Sequence, residues 1–179
     1  ANRRAALPRW LSLKFGDFDT TGPAPAIPVD LQSRPGAGRD YFVVQMTGPI
    51  SEQQKQALRE RGMDVLDYVP NHAFIVRGTK AQVAASQAAN EVVWSSPMHT
   101  AWRIDPLLLR QPTQGRLAIL GFDGVLAATL VAQLEAAGAT VNEQNLIDKR
   151  LWIVAAVAPA GPPPTTTTSK LCCVSVTCS

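Results

Sequence analysis

The chain has 179 residues, a formal net charge of +3, 46% hydrophobic residues and 17% charged residues. This apolar content is enough for one or two compact cores, and the mild, scattered positive charge provides no basic face of the kind that binds nucleic acid. No apolar run approaches the roughly 20 residues that a membrane-spanning helix needs. We therefore expect a folded protein that neither binds nucleic acid nor spans a membrane.

Residues 1–39 form an arm in which prolines and glycines recur too often for long helices or strands. Within the arm, the segment 10–18 is apolar and alternates in part with polar residues, which predicts an extended strand that docks on a sheet. Its aromatic residues Trp10, Phe15 and Phe18 are candidate partner-binding residues. The sequence leaves open whether they pack on the arm's own module or on a neighbouring molecule.

Residues 40–106 are predicted to form a complete module. The β-rich run at 41–46 predicts its first strand. Ser51 and Gln54 have the spacing of a capping box, so a helix is expected to begin there and to end at Gly62. The remaining predicted elements are strands at 63–69 and 73–77, a helix at 79–89 and a closing strand that begins at Val92. This order, β-α-β-β-α-β, predicts an α+β, ferredoxin-like module with two helices on one face of a four-stranded antiparallel sheet.

The chain then repeats this order. Leu117 corresponds to Tyr41 at an offset of 76, and the offset holds as far as Gly138, the glycine that ends the helix. Two extra residues in the following turn then align Trp152 with Phe74. The repeat predicts a tandem arrangement of two modules of the same fold.

The second module, at 116–158 after a linker at 107–115, is predicted to be incomplete. The first copy continues with a second helix and a fourth strand, whereas the second runs into Pro159 and the prolines at 162–164, which exclude a helix. One edge of its sheet is therefore left unpaired, and natural proteins cover such edges.

Residues 159–179 are predicted to be a linker rich in proline and threonine followed by a cysteine-bearing tail. The segment 171–177 has strand character, and Leu171, Val174 and Val176 are its candidate assembly residues. By main-chain pairing, this strand is suited to complete either its own module or that of the next molecule. Three cysteines are candidates for disulfides that hold the paired strand in place in an oxidising compartment: Cys172, Cys173 and Cys178.

Three other interpretations of the tail remain open. It is consistent with a solvated, O-glycosylated linker whose end frays. It is also consistent with a substrate-like strand that inhibits a protease. The third interpretation is a precursor whose clustered Thr, Ser and Cys residues form thioether rings after dehydration.

The residue pattern contains no catalytic, cofactor-binding or metal-binding set. His72 and His99 are the candidates for a general base near neutral pH, and each has an ordinary context, the first in a turn and the second in a strand. The tail cysteines lack the spacing and the nearby histidine of a zinc site. We therefore expect a protein that is not an enzyme and needs no cofactor.

The segments 41–78 and 92–106 resemble the amino-terminal, propeptide-like region that precedes the catalytic domain in many bacterial subtilisin-like serine peptidases. The resembling features are Gly48 and Pro49 before the first helix, the segments 66–70 and 71–74, and Trp94 followed by Pro97 in the closing strand. The resemblance covers about residues 40–106 well and 116–157 more loosely. It implies a region that assists the folding of a peptidase or inhibits it, although no catalytic segment follows in this sequence.

Together these patterns predict a non-enzymatic, secreted protein that acts by β-strand pairing with other chains. The favoured hypothesis is a self-assembling extracellular filament or structural subunit whose partners are copies of itself. The alternative is an inhibitor or folding chaperone of a subtilisin-like peptidase.

Overall fold

The computed structural model describes residues 9–105, 108, 115–122, 125–147, 150–157 and 174–178. The chain divides into two compact units, with the boundary between Trp102 and Arg103. Unit 1 combines two α-helices, and the described part of unit 2 one, with antiparallel sheets, so the predicted α+β class is confirmed. In the described part of the chain, no helix is long and apolar enough to cross a membrane.

The arm of unit 1 is a hairpin, where the sequence predicted a single extended segment. Strand β1 (Trp10–Leu13) pairs antiparallel with β2 (Gly16–Asp19), and Leu11 lies opposite Phe18. The chain turns at Lys14 and Phe15, and Gly16 directly after the turn has a φ of 139°, a conformation that favours glycine. A short 3-10 helix, Val29–Leu31, follows.

The main sheet of unit 1 has the strand order β4-β5-β3-β6, and all neighbouring strands are antiparallel. Its elements follow one another in the predicted order, β-α-β-β-α-β. They are β3 (Asp40–Met46), α1 (Glu52–Glu60), β4 (Asp64–Val69), β5 (Ala73–Gly78), α2 (Lys80–Ala88) and β6 (Val92–Pro97).

Both helices of unit 1 begin with a complete capping box. The Ser51 hydroxyl accepts a hydrogen bond from the backbone N–H of Gln54 at 3.2 Å, and the Gln54 side chain accepts one from the N–H of Ser51 at 3.0 Å. Thr79 and Gln82 make the same pair of bonds at 3.2 and 2.8 Å. The predicted start of α1 is therefore confirmed, and its reciprocal bonds satisfy two N–H groups that a helix leaves unpaired.

The core of unit 1 lies between the sheet and its two helices. Phe42, Val44, Phe74 and Val76 extend from the two central strands, and Leu58 of α1 is fully buried against them. The other members of this cluster are Met46, Met63, Val83 and Val92.

Unit 2 has a four-stranded antiparallel sheet with the order β10-β7-β9-β8. Leu130 and Leu134 of its helix pack on Ile119, Leu151 and Ile153 of the central strands. Its elements are β7 (Gly115–Gly121), α3 (Ala127–Ala136), β8 (Ala139–Ile147), β9 (Arg150–Val157) and β10 (Val174–Cys178). Gly138 after α3 has a φ of 84°, as Gly62 after α1 has 81°, so both predicted helix ends are confirmed.

The structure corrects the alignment of the first strands of the two copies. Strand β3 contributes Phe42 and Val44 to the helix-side core, and β7 contributes Leu117 and Ile119. Leu117 therefore corresponds to Phe42, not to Tyr41 as the sequence predicted. A slip of one residue moves every side chain to the other face of a sheet, and the unbroken apolar run in each strand hid this slip.

The third strands need the same kind of correction. Val44 lies opposite Phe74 in unit 1, and Ile119 lies opposite Ile153 in unit 2. Phe74 therefore corresponds to Ile153, whereas the sequence aligned it with Trp152. With these shifts, the pairing of the three shared strands is identical in the two units.

Candidate functional site

The fourth strand of the unit 2 sheet comes from the tail. Val174–Cys178 pairs antiparallel with β7, with Val174 opposite Gly121, Val176 opposite Ile119 and Cys178 opposite Leu117. The sequence left open whether this strand completes its own module or another molecule's. In the single chain it completes its own, and the edge of β7 is paired.

Strand β10 occupies the position that β6 holds in unit 1. Ser95 lies opposite Val44 in unit 1, and Val176 lies opposite Ile119, the counterpart of Val44, in unit 2. The same shift relates all of the pairs on β7 to pairs on β3, up to Val174 and Val92, which lie opposite Gly121 and Met46. The two sheets therefore share one strand order, and their closing strands share one register except at Val93, an extra residue in β6.

The two closing strands differ in how the chain reaches them. Residues 79–91, which contain α2, separate β5 from β6, whereas residues 158–173 separate β9 from β10. A segment of sixteen residues reaches roughly 50 Å when it is extended. The pairing of β10 with β7 is thus defined. The segment that joins β9 to β10 is long enough for β10 to reach the sheet of a neighbouring molecule instead.

In unit 1, an ion pair and backbone bonds fix the start of the closing strand. The guanidinium group of Arg61, just after α1, donates two hydrogen bonds to the carboxylate of Glu91 at 2.7 and 2.8 Å. These bonds lower the pKa of Glu91 and raise the pKa of Arg61. The backbone N–H of Thr47 donates to the carbonyl of Glu91 at 3.1 Å, and the Thr47 hydroxyl donates to the carbonyl of Asn90.

The structure separates the three aromatic candidates of the arm. Phe18 is buried, with its ring 5.5 Å from that of Trp94 and 5.9 Å from that of Trp102. Phe15 is half-buried, and Trp10 is 55% exposed. Phe18 therefore packs on its own unit, while Trp10 is accessible to a partner.

A buried polar residue holds the arm on the sheet. Gln45 of β3 is 2% exposed; its side-chain oxygen accepts from the Thr20 hydroxyl at 2.7 Å, and its amide donates to the carbonyl of Asn71 at 3.0 Å. The side-chain amide of Asn71 in turn donates to the carbonyl of Trp10 at 2.7 Å. The sequence analysis missed this network, although a glutamine within the apolar run of β3 was a visible signal for it.

The remaining tail candidates are only partly described. Val174, Val176 and Cys178 belong to β10. Leu171, Cys172 and Cys173 lie outside the described residues. The disulfide hypothesis therefore stays a prediction.

The two histidines have structural surroundings. His72 lies in the turn between β4 and β5, where it and Asn71 both adopt positive φ. The Nδ1 atom of His99 accepts the backbone N–H of Ser33 at 3.0 Å, and its Nε2 lies 3.3 Å from the hydroxyl of Ser96. Because a neutral imidazole that accepts at Nδ1 carries its proton on Nε2, this arrangement does not prepare His99 to take a proton from Ser96.

Comparisons with known proteins give few constraints. Residues 12–99 match the model of a domain of unknown function (DUF8729). No curated protein matches the chain. A crystal structure described as that of a glycine cleavage system transcriptional repressor is 9% identical, with a TM-score of 0.21, and the match covers 67% of this chain and 80% of that one. The match to the family model covers most of the hairpin arm together with the sheet of β3 to β6. The structural match supports no conclusion about this chain.

Proposed function

We propose that this protein is a non-enzymatic, secreted subunit that assembles with copies of itself by exchanging β10. In this proposal, its two units are tandem ferredoxin-like modules, and the tail of each molecule completes the unit 2 sheet of the next. The proposal rests on one observation above all: the strand that closes the unit 2 sheet comes from the tail, sixteen residues after β9.

Exchange preserves the pairing that the single chain makes. A β10 strand from a neighbour offers the same backbone groups to β7 in the same register, so the exchanged and unexchanged sheets have equal hydrogen bonding. The free-energy difference between them lies in the connection. A flexible linker holds its own strand at an effective concentration on the order of millimolar, which favours the closed chain in dilute solution.

Two properties of the tail sequence favour exchange. Proline-rich segments are extended and semi-rigid, which disfavours a return of the strand to its own sheet. Disulfides that involve Cys172, Cys173 or Cys178 would make an exchanged joint persist in an oxidising compartment. Because the donor and acceptor surfaces differ, successive exchange gives an open filament unless the ring closes.

Electron microscopy of the intact chain beside a variant that ends at Pro164 tests the proposal. We expect filaments or higher oligomers from the intact chain and dispersed molecules from the shorter variant. A full-length control carries Ser175→Pro and Val176→Pro. Because neighbouring residues of an edge strand alternate in facing the partner strand, one of these two prolines must remove a ladder hydrogen bond.

The outcomes separate the candidate functions. Assembly of the intact chain that both variants lose supports exchange. Dispersed molecules in all three samples contradict it and direct attention to the alternative from the sequence resemblance, the inhibition of a subtilisin-like peptidase by stoichiometric amounts of the chain. Filaments that persist in both variants would mean that another surface assembles the protein.

A further inference from the structure

The outer strand β6 of unit 1 differs from the outer strands on the far side of each sheet. Strands β4 and β8 each carry an acidic residue beside a bulge, Asp67 and Glu143, and a charge on an edge strand opposes further pairing. Strand β6 also has a register shift, at Val93, but it carries no charged residue and pairs regularly with β3 from Trp94 to Pro97. Among the described residues, no strand pairs with its outer side.

Along this outer side, the backbone groups of β6 have no strand partner among the described residues. The carbonyl of Pro97 accepts the Ser96 hydroxyl at 3.3 Å, which leaves one of its two lone pairs for a further donor. The N–H of Met98 donates to the carbonyl of Tyr41 in β3 at 2.8 Å. Because backbone groups alternate along an antiparallel strand, Ser96 faces β3 in the same way and the N–H and carbonyl of Ser95 face outward. Pro97 is also on the outward row, where its missing N–H costs no bond to β3.

A groove runs beside this row, between α2 and β6. Its volume is about 220 Å³. The buried side chains of Phe42 and Val83 line it, and Ser95 contributes to its wall on the same side of the sheet as Val44. The other residues that line this α2–β6 groove are Lys80, Ala84, Gln87, Ser96 and Pro97. It offers an apolar surface next to the outward backbone groups of β6.

An exposed lysine lies at one end of the groove. Lys80 is exposed at the first position of α2, and it makes no ion pair with any residue that the structure describes. Since α2 leads back into β6 through a short loop, Lys80 lies toward the Pro97 end of the strand. The groove therefore combines an apolar floor with a positive charge at one end.

We infer that the α2–β6 groove binds an extended peptide, which adds to the outer edge of β6 and carries an acidic side chain two residues from an apolar one. The backbone of the peptide bonds Ser95 and the carbonyl of Pro97. Side chains two apart point to the same face of a strand, so the apolar one enters the groove while the carboxylate reaches Lys80. This site lies in unit 1 and is independent of the exchange of β10.

Fluorescence anisotropy of the full chain with a labelled probe tests this inference. The probe is fluorescein-Gly-Gly-Thr-Glu-Thr-Val-Thr-amide, whose order suits a strand antiparallel to β6. One matched peptide carries Gln in place of Glu, and a second carries N-methyl-valine in place of Val. We expect saturable binding of the probe, weaker binding of the Gln peptide and loss of binding for the N-methyl peptide, which keeps the apolar side chain but cannot donate to the carbonyl of Ser95.

Two variants of the chain place the binding at β6. Ser95→Pro removes only an outward N–H, and it should weaken binding more than about tenfold through the lost bond and the blocked edge. Lys80→Glu should weaken binding about fivefold, and a probe with Lys in place of Glu should recover it. Arg59→Glu on α1, which changes the net charge equally, is the matched control and should bind as the unaltered chain does.

Two results would overturn the inference. One is the absence of saturable binding at concentrations on the order of 1 mM. The other is binding that neither Ser95→Pro nor Lys80→Glu alters. Far-ultraviolet circular dichroism checks that each variant folds, and Lys80→Glu, on an exposed first turn where an acidic residue suits the helix dipole, remains decisive if Ser95→Pro does not fold.

Discussion

The sheets of the two units have the same strand order, but their closing strands reach the sheet in different ways. In unit 1 the strand is β6, which follows its own helix and is anchored by Arg61 and Glu91. In unit 2 it is β10, which the chain reaches only through residues 158–173. A position in a sheet therefore specifies a ladder of backbone groups and leaves open the route by which the chain arrives. The proposed exchange of β10 uses the second, longer route.

The largest expected effects come from the equivalent core residues Leu58 and Leu134, which are 0% and 4% exposed. Replacing each by Ala should cost about 2–5 kcal/mol of the free energy of unfolding, because buried contacts are lost and a cavity remains. Hydrogen exchange resolves the two units: Leu58→Ala should raise exchange in unit 1, and Leu134→Ala in unit 2.

The control for this pair is Leu146→Ala, since Leu146 is 74% exposed and its truncation should change little. If either core variant loosens both units equally, the two units unfold together, and their separate description is wrong.

A second effect distinguishes the hairpin arm of unit 1. Gln45→Ala removes the acceptor of the Thr20 hydroxyl and the donor to the Asn71 carbonyl, and it should cost about 1–3 kcal/mol because buried partners lose their bonds. Faster amide exchange at Leu11 and Phe18 should accompany it. Gln53→Ala, on the exposed face of α1, serves as the control, and equal effects of the two variants would contradict a specific role for Gln45.

A smaller effect comes from the starts of the helices. Helix α1 has a capping box at Ser51, whereas α3 begins after Leu126, which is 72% exposed and makes no capping bond. Ser51→Ala should destabilise unit 1 by about 1 kcal/mol, and Leu126→Ser should stabilise unit 2 by up to about 1 kcal/mol. Denaturant titration measures both changes. The two variants should change the free energy of unfolding in opposite directions. Destabilisation by Leu126→Ser would show that Leu126 makes stabilising contacts despite its exposure.

The smallest effect concerns pH. The bonds from Arg61 lower the pKa of Glu91 in the folded state from its ordinary value of 4.5. The stability that this pair contributes is therefore fully present above pH 4.5 and is lost as the pH falls through the lower, folded-state pKa. Because both side chains are partly exposed, the contribution should stay below about 1 kcal/mol.

Stability curves of the unaltered chain and Glu91→Gln test this prediction between neutral and acidic pH. The difference between the two chains should shrink as the pH falls. Glu60→Gln, near the same end of α1, is the control and should run parallel to the unaltered chain. If the stability difference between Glu91→Gln and the unaltered chain does not change with pH, the ion pair does not anchor β6.

Much of unit 1 could be predicted from local sequence signals. The capping residues Ser51 and Gln54, the terminating Gly62 and the turn at Asn71 act over a few residues, so the sequence alone indicates where the helix and the strands begin and end. The repeat was visible for the same reason, because Gly138 ends α3 as Gly62 ends α1.

Other features depend on contacts between distant residues. The arm was predicted to be one extended strand, and it is a hairpin because the chain turns at Lys14 and Phe15 and Leu11 and Phe18 are buried. The bonds from Gln45 to Thr20 and Asn71 likewise join residues that are 25 and 26 positions apart. No local pattern specifies such partners.

Local sequence signals specify the order of β3 to β6 with their helices and of β7 to β9, the capping box of α1, the glycines that end α1 and α3, and the strand character of the tail. Contacts between distant residues decide which face of β7 meets the helix and which sheet β10 pairs with. Helix ends and turns depend on neighbouring residues, whereas the register of a strand depends on the distant strand beside it. Where apolar residues run without a break, as in β7 and β9, alternation in the sequence cannot fix that register.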